Sequence, residues 1–333
     1  MTGKKTLLKG GSLAGTYLLE SPDSSFRCVR KEISTTENRE YGYQRWYSQM
    51  KRMQRYESLF PGLFPMLLGC GVDDESGYAY FDMEFLENAE NCHDYICDTT
   101  SPEQVEKVFE EIISAMQEIH SIELPSSCAA LSLYILEEIE QKLHDCMDDE
   151  EFKSFYNYES IVFNGSTIPS LGALMSDYVR KGNSLYKKAS ECLTHGNITL
   201  ENLMYAPLQN RIYFIDPYEE NIIDNHYNEY SQILQSCHSH YELYNQTTTT
   251  RRGNQLECQI EVPYGIHYFN TLFNDYMKQT LSRDEIQLVK FFEVSQFIRM
   301  LPFKLHVDKE KMFFFYGMAS SLANQFLNEE TEI

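Results

Sequence analysis

His195-Gly196-Asn197, a second amide at Asn202, and Asp216 within Ile215-Asp216-Pro217 are residue types that phosphoryl transfer uses. The attacking hydroxyl has to be oriented, and magnesium needs hard oxygen ligands, which an amide and a carboxylate supply. On this reading Asn197 faces the acceptor and Asn202 turns back toward the metal. Asp216, ending a strand, grips the ion across a triphosphate, and His195 braces the loop by hydrogen bonding. Asn197 stands where a carboxylate would accept the hydroxyl proton, which an amide cannot do. The plain alternative is a chance match in a loop between helices; the agreement in order and strand context weighs against it.

Two upstream stretches could meet the nucleotide. The run Gly10-Gly11-Ser12-Leu13-Ala14-Gly15 lies between two extended segments. Small residues at Gly11, Ser12 and Gly15 would let backbone amides approach phosphate oxygens, although an ordinary hairpin has the same composition. Gly3-Lys4-Lys5-Thr6 lacks the upstream glycine of a P-loop and is set aside. On the strand Phe26 to Ile33, Val29 and Lys31 share one face. Val29 would cover a flat base while the Lys31 ammonium reaches the phosphates. Such a lysine needs a partner on the next helix, and Glu37, Glu40 and Gln49 all remain open.

These segments need elements to hold them. Strand patterns occupy most of residues 6 to 34, and a helix is expected from about Glu37 to Ser58, with Tyr43, Trp46, Met50 and Met53 on one stripe. Tyr78 to Leu86 reads as a strand, followed by a polar link. Helical periods then dominate, over 102–119, 131–146, 170–193, 229–244 and 283–328, with short strands at 203–205 and 212–215. Thr247 to Gly253 reads as a mobile polar loop. Met312 to Tyr316 reads as a buried helix face.

Bulk properties narrow the partners. A length of 333 residues suits two lobes, and 42% hydrophobic content is ample for a core. The net charge of -22 argues against nucleic acid and against an anionic membrane surface. No apolar run is long enough for insertion into a bilayer. The nine scattered cysteines and the absence of a leader-like run make reduced thiols in a cytoplasmic protein the expectation. Cys92-His93 with Cys97, and Cys237-His238 with His240, fall short of a four-ligand metal set. Oligomeric state is not legible.

The pattern resembles the aminoglycoside-phosphotransferase and choline-kinase-like group, in which His-Gly-Asp-x4-Asn precedes Ile-Asp-Pro or a close variant. Here it stands as His195-Gly196-Asn197, Asn202 and Ile215-Asp216-Pro217, joined by Lys31, a hinge-like Met83-Glu84-Phe85-Leu86, and Glu229-Tyr230-Ser231-Gln232 on a following helix. The tyrosine-rich C-terminal half, with Ile161 to Gly165, is most similar to bacterial members associated with surface-polysaccharide loci. The resemblance implies an α+β, bilobal, protein-kinase-like fold. Residues 1–86 would form a small antiparallel-sheet lobe that binds nucleotide. Residues 87–333 would form a mainly helical lobe carrying the catalytic loop and the acceptor-binding helices, with an insertion at about 130–190. It implies ATP and Mg2+ as cofactors, with backbone from Glu84 to Leu86 at the adenine and Lys31 on the α- and β-phosphates. The γ-phosphoryl group would pass to a hydroxyl of a small molecule, a sugar or polysaccharide precursor. Asn197 departs from the family pattern, which leaves an inactivated variant and a weak enzyme both open. A nucleotide-binding pseudokinase and an antibiotic- or choline-type kinase are the competing readings.

Overall fold

The computed structural model describes residues 3–8, 15–23, 25–36, 39–73, 75, 77–127, 129–186, 191–218 and 221–329, the side chains of 39–41 excepted. Gly11, Ser12 and Glu37 lie outside the described residues, and so does the side chain of Glu40.

Strands β1 (Lys4–Leu7), β2 (Gly15–Glu20) and β3 (Arg27–Ser34) open the chain, and helix α1 (Arg39–Leu59) follows. Trp46, Met50, Met53 and Tyr56 are buried along α1, as their 3.6-residue spacing dictates. Strands β4 (Leu67–Asp73) and β5 (Tyr78–Glu84) complete an antiparallel sheet of order β1-β2-β3-β5-β4. Strand β4 was not expected. Its glycines at 69 and 71 blur the alternation, and only pairing with β5, through an irregularity between Leu67 and Gly69, makes it a strand.

Strand β6 (Glu90–Asn91), α2 (Cys92–Asp98), α3 (Pro102–His120) and β7 (Glu123–Leu124) come next. The helical stretch near 131–146 is α4 (Ala130–Tyr134), a π-helical Ile135–Glu140 and α5 (Gln141–His144). After α6 (Glu150–Tyr156), β8 (Ser160–Phe163) and β9 (Ser166–Pro169) form a hairpin. Its turn residues Asn164 and Gly165 both have positive φ, 46° and 81°, the pairing that a tight hairpin turn favours. Helix α7 (Leu171–Leu185) is shorter than the periodicity suggested, and β10 (Glu191–Cys192) pairs with β7. Strands β11 (Leu203–Ala206) and β12 (Arg211–Phe214) then form a hairpin, with β6 added to β11.

The remaining chain is α8 (His226–Cys237), α9 (Tyr241–Gln246), β13 (Thr250–Arg252), β14 (Gln255–Glu257), α10 (Tyr264–Thr280), α11 (Arg283–Val307) and α12 (Lys309–Asn328). The expected polar loop at 247–253 is therefore part of a hairpin, tied by β14 to β8 in a four-stranded sheet. The expected continuous helix over 283–328 is two helices. Asp308 breaks it, because its carboxylate accepts the Lys311 N–H at 3.0 Å and caps the new helix. Among the described residues no helix is long and apolar enough to cross a membrane.

The chain divides into two compact units. One comprises Met1–Tyr95, Glu110–Ile119 and His195–Asn221; the other comprises Ile96–Phe109, His120–Thr194 and Ile222–Ile333. The first holds the five-stranded sheet, α1 and the β11–β12 hairpin. The core of the second is organised by α12, where Lys311 to Ser320 are all buried, so the helix is enclosed on every side rather than along one stripe. Phe313 packs on Phe155 at 4.8 Å, Phe314 on Tyr244 at 4.9 Å and Phe163 at 5.0 Å, and Phe315 on Phe297 at 5.6 Å. Phe314→Ala should lower unfolding stability by about 3–5 kcal/mol, measured by guanidinium denaturation.

Candidate active site

Hairpin register explains why Asn202 and Asp216 come together. Leu203 pairs with Phe214, so the residue before β11 lies beside the segment that leaves β12. The Ile215 N–H donates to the Asn202 carbonyl at 3.0 Å, and the Tyr218 N–H donates to the His195 carbonyl at 3.0 Å. The two sequence-distant segments are thereby stitched along their backbones.

Within the loop, each polar group has a positional task. The Asn202 side-chain amide donates to the Asn197 carbonyl at 2.9 Å and to Thr199 Oγ1 at 3.1 Å. Its oxygen is then the atom left to ligate a cation. His195 is fully buried, with its ring centroid 6.1 Å from Phe64 and 5.5 Å from Phe214. Its Nδ1 accepts the Asn197 N–H at 3.3 Å. Asn197 itself is half-buried. Thr199 and the two aromatic walls escaped the sequence reading; Thr199, three residues before Asn202, had spacing as its only signal.

Gly196 is at φ +81°, and a Cβ added there would lie 2.6 Å from the Asn221 amide. Gly196→Ala should therefore cost about 1–3 kcal/mol of stability, read as a lowered midpoint in urea, because both backbone and space oppose it.

Lys31 is buried on β3, opposite Thr16 and Phe81, and its Nζ meets Asp216 Oδ1 at 2.6 Å. Of the partners left open, Glu37 and the Glu40 side chain lie outside the described residues; among those described, the contact that Lys31 makes is with Asp216. Gln49 reaches the same segment by a different route, donating to the Pro217 carbonyl at 3.4 Å. Asp216 sits at φ +57°, a left-handed conformation unusual for a side-chain-bearing residue, and such strain concentrates at functional sites. The Asn202 amide oxygen and the Asp216 carboxylate are hard oxygen donors, one of them anionic. That set fits Mg2+ completed by water and phosphate oxygens.

Of the remaining sequence-predicted residues, Gly15, Val29 and Glu84 fall on the same five-stranded sheet. Gly15 opens β2 opposite Glu32, and a Cβ there would lie 2.6 Å from the Tyr17 ring. Val29 is half-buried opposite Leu18 and Met83, two residues from Lys31 on the strand. Glu84 ends β5, and its N–H already donates to the Met66 carbonyl at 2.8 Å. Leu86 follows it and accepts from the Ala89 N–H at 3.4 Å in a turn. Glu229 belongs to the other unit, where it is buried and meets His120 Nε2 at 2.5 Å.

No protein-family model matches the sequence, and no curated protein matches it. Among solved structures the chain is similar to the wild-type aminoglycoside 2'-phosphotransferase-IIIa, determined as its GDP complex. The likeness covers 97% of this chain and 93% of that one, with a TM-score of 0.59 and 11% sequence identity. The fold is that of an aminoglycoside phosphotransferase. It is α+β, with an N-terminal antiparallel five-stranded sheet and a largely helical C-terminal part. At this identity the likeness carries the fold, and the chemistry has to be argued from the residues.

Cys92 and Cys237 are buried, and burial pushes their thiols well up. Among the described residues no group of three or more His, Cys, Asp or Glu is placed to hold an ion.

Proposed function

We propose that this chain is an ATP- and Mg2+-dependent phosphotransferase that moves the γ-phosphoryl group to a hydroxyl of a small molecule, a sugar or polysaccharide precursor. The reading rests on one observation: the buried Lys31 ammonium meets Asp216 at 2.6 Å, and hairpin register brings Asn202 alongside that segment. On this reading Lys31 holds the α- and β-phosphates, while Asn202 Oδ1 and the Asp216 carboxylate hold the ion. Bound magnesium supplies charge neutralisation across the β- and γ-phosphates. Val29 lies against the base, and the backbone from Glu84 to Leu86 meets the adenine edge. Gly11, Ser12 and Gly15 cover the phosphates. Asn197 orients the acceptor hydroxyl through its amide oxygen without taking its proton. The similar aminoglycoside phosphotransferase structure is a GDP complex, which supports nucleotide binding by this fold.

Asn197 also favours a second reading, a pseudokinase that binds nucleotide without turnover. The net charge of -22 gives mild support to a third, a kinase for cationic antibiotics or choline-like acceptors. Calorimetric titration with ATP, with and without Mg2+, tests the shared core. Mg2+-dependent ATP binding that is lost in Lys31→Met is expected, and no uptake with the metal present would overturn all three readings. A thermal-shift screen of sugars against cationic ligands separates the acceptor classes.

A further inference from the structure

Three consecutive residues after β12 are each held by a different part of the chain. Asp216 Oδ1 meets Lys31 of β3 at 2.6 Å, the Pro217 carbonyl accepts from Gln49 of α1 at 3.4 Å, and the Tyr218 N–H donates to the His195 carbonyl at 3.0 Å. All of these residues lie in one compact unit. Helix α1 makes a second contact one turn earlier, where the Arg45 guanidinium lies 5.9 Å from the centre of the Tyr218 ring. Arg45 and Gln49 are four residues apart and so share one face of the helix.

The hold on Pro217 has a physical cause. Proline has no N–H, so the carbonyl is its only backbone group that can hydrogen bond. Pro217 is buried, and among the described residues its carbonyl has no donor besides Gln49. Its peptide follows Asp216, whose φ of +57° persists only where the surroundings over-determine it. The backbone bonds of Ile215 to Asn202 and of Tyr218 to His195 pin the segment from the loop, and Gln49 pins it from the helix. With Lys31 on Oδ1, the second carboxylate oxygen of Asp216 is available to a cation.

We propose that Gln49 is a positioning residue for the metal site, whose side-chain amide holds the Pro217 peptide and with it the orientation of the Asp216 carboxylate. The proposal rests on the phosphotransferase reading and adds to it the residue through which α1 sets the affinity for Mg2+. Gln49 does not pair with Lys31; it acts on Asp216 through the peptide that follows it. The 3.4 Å bond is long, as is usual of such bonds before a ligand arrives. Without the donor the Pro217 carbonyl is left unmatched, the peptide turns to find another, and the carboxylate loses its single orientation. Nucleotide contacts through Lys31 and at the base do not depend on that peptide.

The test is calorimetric titration of the full chain with ATP, in Mg2+ and in EDTA. Gln49→Met, which keeps the length and loses the donor, should weaken binding about tenfold in Mg2+ and by less than about twofold in EDTA. Gln49→Asn, too short to reach the carbonyl, should do the same. In an Asp216→Ala background Gln49→Met should have no further effect, whereas a merely structural loss would add. In the ligand-free chain the Tyr218 amide hydrogen should exchange about tenfold faster in Gln49→Met than in wild type. Equal Mg2+ dependence in wild type and both variants, the same loss in EDTA, an additive loss with Asp216→Ala, or unchanged Tyr218 exchange would each overturn the proposal. A wild-type chain that takes up no ATP with Mg2+ would instead overturn the phosphotransferase reading on which it rests.

Discussion

Asn197→Asp should raise phosphoryl transfer by about 10²–10⁴-fold, the usual contribution of a positioned general base. The swap is nearly isosteric, and the loop's geometry does not depend on the Asn197 side chain. It is set by the Asn197 backbone, which donates to His195 and accepts from Asn202. Affinity for ATP with Mg2+ should therefore stay within about threefold, a change of less than 1 kcal/mol. Steady-state assays of both forms across a panel of sugars and amines measure the effect. If the aspartate form binds nucleotide and still phosphorylates nothing, the enzyme reading fails and the nucleotide-binding pseudokinase takes its place.

Asp216→Ala should have the other large effect, and on two observables. Lys31 is 6% exposed, so removing its partner strands a buried cation, which costs about 3–5 kcal/mol. Denaturant unfolding should report that loss, and Lys31→Met in the Asp216→Ala background should recover much of it, because the stranded charge is then gone. The Mg2+ dependence of ATP binding should disappear with the carboxylate whether or not stability is restored. An Asp216→Ala protein with unchanged unfolding midpoint would mean that the 2.6 Å contact carries no energy.

Much of the site was legible along the chain because its elements are local. Alternation on β3 put Val29 and Lys31 on one face, and the loop before β11 carried its residues at fixed spacing. The periodic stripe of α1 located Trp46, Met50 and Met53 in the core. Elsewhere local signals misled or were absent. Strand β4 has glycines where side chains would report a pattern, and the hairpin β13–β14 hides in a polar run that becomes ordered by pairing with β8. The Asn164-Gly165 turn was a usable hairpin signal that went unread.

The amino-acid order thus determined which groups the proposed chemistry can draw on: a histidine and two amides on one loop, a carboxylate after the next strand, and a lysine on an earlier one. Tertiary structure alone decided which of these groups meet. Period and composition record the face on which a side chain lies, but a partner far along the chain is chosen by strand register. The Leu203–Phe214 pairing, invisible in either segment alone, is what sets Asn202 beside Ile215 and the Asp216 that follows it.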